Sequence, residues 1–509
     1  MSTLYSHILQ RDVQGTNSVP PQVVVIGAGP AGLTAAYELL RLGIRCTVVE
    51  QDAVVGGISR TVSHDGYLFD IGGHRFYTKV SLVEQIWREV LGDDLLTRPR
   101  LSRIYYKGNF LNYPLLPGEA LRKLGLFEST RCGLSFLKAR LLPHQPENDL
   151  ETWITNRFGS RLFEIFFKTY TEKVWGMSCK EIGADWAAQR IKGLSLSSLL
   201  LNAIRPKRGK SDEIKTLIPE FLYPRRGPGM MWERLHQILE DAGTRVVLGA
   251  RVQSIEWAPD GVVAVETTAG RFDAGHVISS MPIQQLVRAL RPAAPEWLAP
   301  AAGMFRYRDF VTVALFLDAR HLFSDNWIYV HDPGVSVGRI QNFKNWSPDM
   351  VPDDSKSCLG LEYFCQEGDP LWAASDEELI ALATRELAQL RLAPERAVLG
   401  GAVVRMPKAY PVYDDQYKSG LNLIRKFLQQ VPGLQLVGRN GMHRYNNQDH
   451  SMLTGVFAAR NVMGAHYDLW EANVDEEYLE EGRMVTEAEL RKLDASQPAV
   501  PRPSVMPEH

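Results

Sequence analysis

Apolar and polar positions near the start of the chain follow the order strand, helix, strand. Val23–Ile26 is an apolar run that passes through a glycine-rich turn into a helical repeat of apolar positions. A second apolar run then ends at the acidic residue Glu50. This spacing predicts a β-α-β unit, because strands buried in a parallel sheet are apolar on both faces.

The pattern changes twice beyond this unit. Residues from about 118 to 205 repeat their leucine, phenylalanine and lysine positions at helical spacing, which predicts a helical subdomain. Short alternating runs over 245–271, with a Pro-Asp-Gly turn between them, indicate a hairpin or meander. From about 305 to 425 the chain is again rich in strand patterns, and one clear helix over 376–390 interrupts them.

This order predicts an α/β fold in which the chain leaves a Rossmann-like, parallel-sheet domain and later returns to it. A strand over 434–438 and a helix over 451–466 would complete that domain. The expected segments are a flexible arm over 1–21, three parts of the nucleotide-binding domain over 22–110, 223–295 and 431–470, a helical subdomain over 111–205, a loop over 206–222, a mixed antiparallel-sheet substrate domain over 296–430, and a C-terminal helix with a disordered tail over 471–509.

Composition narrows the expected partners and compartment. The 57 basic and 59 acidic residues give a net charge of −2, so bulk electrostatics favour neither nucleic acid nor an anionic membrane surface. No run approaches about 18 apolar residues and no apolar secretory core begins the chain, which predicts a cytoplasmic protein without a membrane span. Five scattered cysteines without a CxxC pair indicate reduced thiols, with neither a disulfide framework nor a metal site.

The glycine turn of the first unit has the spacing of a dinucleotide site. Gly27 permits the tight turn, Gly29 allows the backbone to approach a pyrophosphate, and Gly32 allows close packing of helix on strand. The following helix offers free N–H groups to that pyrophosphate, and Glu50 is placed to accept ribose hydroxyls. A purely structural β-α-β turn is the alternative.

Eight segments of the chain resemble, in order, the UDP-galactopyranose mutases of the eukaryotic-type branch. That family belongs to the glutathione-reductase-type (GR2) FAD flavoproteins, and the first two segments occur throughout this superfamily. The resemblance covers residues 23 to about 465. The segments are GAGPAG (27–32), GG (56–57), FDIGGHRF (69–76), KVWGMS (173–178), AAQRI (187–191), RIQNFKNWSP (339–348), AYPVY (409–413) and HRYNNQDHS (443–451).

The resemblance implies that FAD is the cofactor, active in its reduced form, with NAD(P)H as a candidate reductant. For two implied contacts a structural role is the alternative: helix capping for Asp449 and a bond to the backbone for His74. The implied FAD contacts are Gly27, Gly29, Pro30, Ala31, Gly32, Glu50, Gly56, Gly57, Ser59, Arg60, Gly72, Gly73, His74, Gly227, Val252, Gly438, Arg439, Asp449, His450 and Ser451.

The resemblance also implies a substrate site in which Arg190, Arg339 and Arg444 surround a diphosphate, with His74 in a loop that responds to flavin reduction. A guanidinium suits this role because it binds phosphate oxygens in bidentate fashion. Surface exposure of each arginine and core packing of each aromatic ring are the alternatives. The implied aromatic substrate contacts are Trp175, Trp327, Tyr329, Tyr410 and Tyr445.

The implied activity is that of an isomerase in cell-wall polysaccharide biosynthesis. Such a mutase interconverts the pyranose and furanose forms of a UDP-hexose through a flavin N5–sugar adduct. Two departures from the family pattern leave the nucleotide-sugar open: Thr171 replaces an asparagine, and the loop from Arg444 to Asp449 is about two residues shorter. The oligomeric state is also open, and a dimer is compatible with the sequence.

Two other interpretations share the glycine fingerprint. An FAD-dependent oxidoreductase of the amine oxidase, protoporphyrinogen oxidase or desaturase type would need an apolar substrate tunnel, whereas the mutase needs three converging arginines. A flavin-binding protein without catalysis would use the same arginines as scaffold. The positions of Arg190, Arg339 and Arg444 therefore separate these interpretations.

Overall fold

The computed structural model describes residues 22–113, 117–184, 220–414, 417–472 and 484–494. Arg190, the N-terminal arm, most of the loop over 206–222 and the C-terminal tail lie outside these ranges. Within them, no helix is long and apolar enough to cross a membrane.

The described strands form two large sheets and three small ones. In chain order they are Val23–Ile26 (β1), Cys46–Val49 (β2), Thr61–His64 (β3), Tyr67–Asp70 (β4), Leu95–Pro99 (β5), Ser102–Tyr106 (β6), Asn109–Asn112 (β7), Glu220–Pro224 (β8), Arg245–Val247 (β9), Val252–Ala258 (β10), Gly261–Thr267 (β11), Gly270–Asp273 (β12), His276–Ser279 (β13), Leu290–Arg291 (β14), Tyr307–Leu317 (β15), Trp327–Val330 (β16), Arg339–Asn342 (β17), Ser357–Cys365 (β18), Val398–Pro411 (β19) and Leu434–Leu436 (β20).

The described α-helices cover the sheets and form a separate helical group between β7 and β8. In chain order they are Pro30–Arg41 (α1), Ser81–Leu91 (α2), Pro117–Leu124 (α3), Leu126–Leu141 (α4), Leu150–Phe158 (α5), Ser160–Phe163 (α6), Thr169–Trp175 (α7), Gly229–Asp241 (α8), Ile283–Ala289 (α9), Ala299–Gly303 (α10), Phe343–Trp346 (α11), Pro370–Ala373 (α12), Asp376–Gln389 (α13), Tyr417–Leu428 (α14), Gly438–Gly441 (α15), Gln448–Val462 (α16) and Glu487–Arg491 (α17).

The first large sheet is parallel, with strand order β20-β13-β1-β2-β9. Its central strand β1 is fully buried between β13 and β2 and under α1, and α16 packs on α1 and β13 in the same core, which explains the continuous apolar run. The strands come from three distant parts of the chain, so the chain leaves this sheet and returns to it twice. The predicted Rossmann-like α/β class is confirmed.

The second large sheet has seven strands in the order β19-β15-β18-β17-β16-β6-β7. All neighbours in it are antiparallel except β16 and β6, which are parallel. The structure therefore differs from the boundary expected at residue 110, because β6 and β7 already belong to the substrate sheet. Pairing between β6 and a strand more than 200 residues later leaves no mark in the local pattern.

Candidate functional site

A cavity of about 1480 Å³ extends from the glycine turn of the parallel sheet, past the seven-stranded sheet, to the helical group. Pockets for drug-sized ligands measure roughly 300–1,000 Å³. The cavity is therefore large enough for a dinucleotide together with a substrate.

The glycine turn forms one end of this cavity through its backbone. A Cβ on Gly32 would lie 1.8 Å from the carbonyl oxygen of Gly27, so glycine is required where α1 packs on β1. Gly29 has no neighbour nearer than the backbone of Gly57, at 3.9 Å from an added Cβ, and both glycines line the cavity. No side chain caps the N-terminus of α1, which begins at Pro30. Its free N–H groups are available to an anion.

Glu50 stands at the end of β2, where it faces the same part of the cavity. Its carboxylate accepts the backbone N–H of Ala28 at 2.7 Å and that of Asp52 at 2.9 Å. Burial raises the pKa of Glu50, and these two bonds work in the opposite direction. Asp52 in turn forms an ion pair with Arg60 at 2.8 Å. The acid is thus held in one orientation.

A second helix N-terminus meets the same space. No side chain caps α16 at Asn447, and its first residues line the cavity. A Cβ on Gly455 would lie 2.3 Å from the carbonyl oxygen of Ala31, so α16 packs directly against the backbone of α1. The positive N-termini of α1 and α16 therefore meet at the end of the cavity formed by the glycine turn, which we name the nucleotide end.

The loop from Gly72 to His74 contributes the middle of the cavity. A Cβ on Gly73 would lie 2.8 Å from Nε2 of Gln341 on β17, so the backbone of Gly73 packs closely against the side-chain amide of Gln341. Burial, followed by the charges of Arg439 and Arg339, lowers the pKa of His74 to about 3. The imidazole is therefore neutral at ordinary pH.

Besides Nδ1 of His331, four buried polar atoms of cavity residues have no hydrogen-bond partner among the described residues. Such atoms are rare in folded proteins unless a ligand or water completes them. Together with the glycine cradle and the two helix ends, they fit the FAD that the resemblance implies. They are Nδ1 of His74, Oε1 of Gln341, Oδ1 of Asn440 and Oε1 of Gln448.

Arg339 lies beside this middle section and is fixed by a buried carboxylate. Its guanidinium contacts Glu362 on β18, with Nε at 2.8 Å and Nη2 at 2.5 Å from Oε2. The same Nη2 donates to the hydroxyl of Tyr410 at 2.9 Å. Burial opposes the charged form of Arg339, but the Glu362 carboxylate raises its pKa well above the usual value. The arginine is therefore permanently charged and held in position.

Beside Arg339, aromatic rings and two further arginines line the cavity. The ring of Tyr329 lies 5.1 Å from that of Tyr113, and the guanidinium carbons of Arg75 and Arg100 lie 5.8 and 5.4 Å from the ring centre of Trp327. We name the cavity end formed by these residues with Arg339 and Tyr410 the arginine–aromatic end. The sequence interpretation missed Arg75, Arg100 and Tyr113. Adjacency to His74 was a signal for Arg75.

Beyond this end the cavity enters the helical group, where its lining becomes apolar. We name this section the apolar arm. No motif in the sequence marked it, since its residues other than Ile104 on β6 have the spacing of ordinary helix cores. The lining residues are Ile104, Phe136, Leu150, Ile154, Phe158, Leu162, Phe166 and Phe167.

Most of the implied site residues that the structure describes line the cavity. Three implied FAD contacts do not: Gly32 and Gly56 support the turn, and Gly227 packs against Thr61 and Asp70. The implied residues that line the cavity are Gly27, Gly29, Pro30, Ala31, Glu50, Gly57, Ser59, Arg60, Gly72, Gly73, His74, Trp175, Val252, Trp327, Tyr329, Arg339, Tyr410, Gly438, Arg439, Tyr445, Asp449, His450 and Ser451.

Of the three arginines expected to converge, the structure describes two, and only Arg339 lines the cavity. Arg190 lies outside the described residues. The guanidinium of Arg444 donates to the carbonyl of Trp470, next to Arg425, and Arg444 is not part of the cavity lining. The reason is local: Tyr445 occupies the cavity side of this turn, where its ring stacks on Tyr410 at 5.8 Å.

Comparison with known proteins gives one family. The model of the family described as flavin containing amine oxidoreductase matches residues 30–463. The phytoene dehydrogenase of Streptomyces griseus is 26% identical over 290 residues, which are 54% of this chain and 57% of that protein. The 15-cis-phytoene desaturase of Narcissus pseudonarcissus is 28% identical over 259 residues, 48% of this chain and 44% of that protein. The chain thus spans less than three fifths of the length of these curated relatives.

Solved structures share the fold over a longer stretch. A reduced UDP-galactopyranose mutase superimposes with a TM-score of 0.76 at 22% identity, covering 88% of this chain and 94% of that one. A putative protoporphyrinogen oxidase from an Exiguobacterium species gives a TM-score of 0.66 at 20% identity, covering 88% and 99%. At such identities the likeness concerns the fold alone.

Proposed function

The chain belongs to the flavin-containing amine oxidoreductase family, and we propose that it is an FAD-dependent oxidoreductase whose substrate joins an apolar body to an anionic group. One observation carries this proposal: a single cavity runs from the arginine–aromatic end into the apolar arm. A substrate that fills both sections must offer negative charge to one and hydrocarbon to the other.

The charge of the cavity favours this substrate over a protonated amine. Arg339 keeps its charge, Arg439 lies close enough to lower the pKa of His74, and Arg75 and Arg100 line the next section. The nearby carboxylate of Glu362 is already paired with Arg339. A carboxylate or phosphate in this section would be attracted by the guanidinium groups, whereas a protonated amine would be repelled by them.

The side chains then have separate tasks. Arg339 holds the anionic group at a fixed distance from the Gly72–His74 loop, since Glu362 determines its orientation. The phenylalanines of the apolar arm exclude water from the hydrocarbon part of the substrate. FAD, held by the glycine cradle and the two helix N-termini, would supply the acceptor for the hydride, a proton with two electrons, that leaves as a C–H bond of the substrate is broken. The neutral His74 adds no charge there, and its Nδ1 remains available for a hydrogen bond.

A nucleotide-sugar mutase is the second candidate, and a specific contact favours it. Arg339 and Tyr410, both implied substrate contacts, do meet beside the Gly72–His74 loop, in a chain whose fold resembles that of a mutase. The position of Arg444 and the sequence relatives speak for the oxidoreductase instead.

The two candidates differ in which form of the flavin starts the reaction. We would add a prenyl diphosphate and the matching prenyl alcohol to oxidised, FAD-loaded protein without oxygen and follow the flavin absorbance. We expect the diphosphate to perturb or bleach the flavin at a concentration at least tenfold below that of the alcohol. Equal responses to both would contradict the anionic anchor. Interconversion of pyranose and furanose UDP-galactose by dithionite-reduced protein alone would establish the mutase instead.

A further inference from the structure

Helix α4 exposes an unusual amount of apolar surface. Large apolar side chains on it and directly after it have exposed fractions of 86% for Leu126, 78% for Phe127, 71% for Leu141, 68% for Leu142 and 64% for Leu134. These are the five most exposed large apolar side chains in the part of the chain that the structure describes. Patches of this kind on soluble surfaces mark interaction sites.

The exposed residues form one stripe along the helix. Phe127, Leu134 and Leu141 are spaced seven apart, and Leu137, which is 56% exposed, lies between them on the same side. The opposite side holds the buried Cys132 and Ala139. The helix therefore carries apolar side chains on two sides, one turned inward and one turned to solvent.

Basic residues flank the outer stripe. Arg131, Lys138 and Arg140 are exposed beside it, and Arg122 is exposed on the preceding helix α3. The one carboxylate on α4, Glu128, is bound by Arg161 and lies 3.7 Å from Arg131. Apolar side chains beside an excess of basic residues are typical of helices that lie in the interface of an anionic bilayer, where long basic side chains reach the headgroups.

We propose that the outer face of α4, formed by Leu126, Phe127, Leu134, Leu137, Leu141 and Leu142 with Arg131, Lys138 and Arg140, docks on an anionic lipid bilayer. A second copy of the chain fits less well, because a two-fold interface through this face would bring its cations together. The near-zero net charge of the whole chain hides this local excess of positive charge on α4. The inner side of the same helix contributes Cys132 and Phe136 to the cavity wall, so docking brings the apolar arm next to lipid.

Vesicle sedimentation tests this face directly. The FAD-loaded protein would be mixed with vesicles of phosphatidylcholine alone or with one third phosphatidylglycerol. We expect binding to the anionic vesicles and a tenfold or greater loss for F127S/L134S/L141S. The matched control, L399S/L423S/M463S, changes three exposed apolar side chains elsewhere and should bind like the wild type.

A charge variant and a mass measurement complete the test. R131Q/K138Q/R140Q should lose the preference for anionic vesicles while the flavin content stays unchanged. Wild-type protein that leaves both kinds of vesicle unbound, or a serine variant that binds like the wild type, would overturn the proposal. So would sedimentation velocity that finds a wild-type dimer, converted to monomer by the serine variant, without vesicle binding.

Discussion

The nucleotide end and the arginine–aromatic end of the cavity are built in different ways. The nucleotide end uses backbone: glycines at van der Waals distance and two uncapped helix N-termini. The arginine–aromatic end uses side chains. Arg339, for example, is held by Glu362 on β18 and by Tyr410 on β19. An added Cβ destroys a site made of backbone. In a site made of side chains, each partner can be replaced by mutation without changing the others. Four substitutions test this difference.

The largest effect is expected at the nucleotide end. In Gly32→Ala the new Cβ would lie 1.8 Å from the carbonyl oxygen of Gly27, and neither backbone segment can move without separating α1 from β1. We expect a destabilisation of about 4 kcal/mol or more and a tenfold or greater fall in the flavin-to-protein ratio. Gly303→Ala is the control, because nothing lies within 4 Å of its Cβ. A variant Gly32→Ala that retained its full flavin content would contradict the backbone account.

At the arginine–aromatic end, Arg339→Met leaves the buried Glu362 without its partner. Loss of one member of a buried ion pair costs about 3–5 kcal/mol, which thermal or denaturant unfolding would measure. Adding Glu362→Gln should restore most of that stability, since no charge then remains buried. Flavin reduction by an anionic substrate should stay at least about a hundredfold lower in the double variant. Recovery of that rate would mean that Arg339 only supports the fold.

Between the two ends, Asp70 gives a pH-dependent effect. Burial raises the pKa of Asp70 to about 7, although Tyr223 and Thr61 donate hydrogen bonds to it at 2.5 and 2.8 Å. The folded protein therefore binds this proton more tightly than the unfolded chain, whose pKa is about 3.9. Stability is lost as the pH rises from about 4 to about 7.

Asp70→Asn removes this titration. The Tm of the wild type should therefore fall relative to that of Asp70→Asn by ~2 °C or more between pH 5 and pH 8. Differential scanning fluorimetry at matched ionic strength would measure both curves. Parallel curves over this range would mean that Asp70 titrates at its ordinary pKa in the folded protein.

The smallest effect is expected for Arg444→Gln. Its guanidinium donates to the carbonyl of Trp470 outside the cavity lining, so the rate of flavin reduction should stay within about threefold of the wild type. The loss of that bond should lower stability by about 1 kcal/mol. A hundredfold fall in rate without loss of flavin would return Arg444 to the substrate site and favour the mutase.

The nucleotide end could be predicted from local sequence. Gly27, Gly29 and Glu50 all fall within one β-α-β unit, and the structure brings each of them to the cavity. Arg339 and Tyr410 were found through resemblance, since a lone arginine on a strand carries no signal of its own. The apolar arm was not predicted, because its phenylalanines have the spacing of any helix core.

The sequence by itself determined the parallel α/β unit and the glycine turn, because strand burial, turn geometry and close packing depend on residues near one another in the chain. Tertiary structure alone decided which arginines face the cavity and how far hydrocarbon lines it. A side chain at a turn can point to either side, and contacts between distant parts of the chain decide which side it takes. Pairing of β6 with β16 across more than 200 residues is an example of such a contact. The direction of Arg444 and the two-sided character of α4 were visible only after these distant elements had packed.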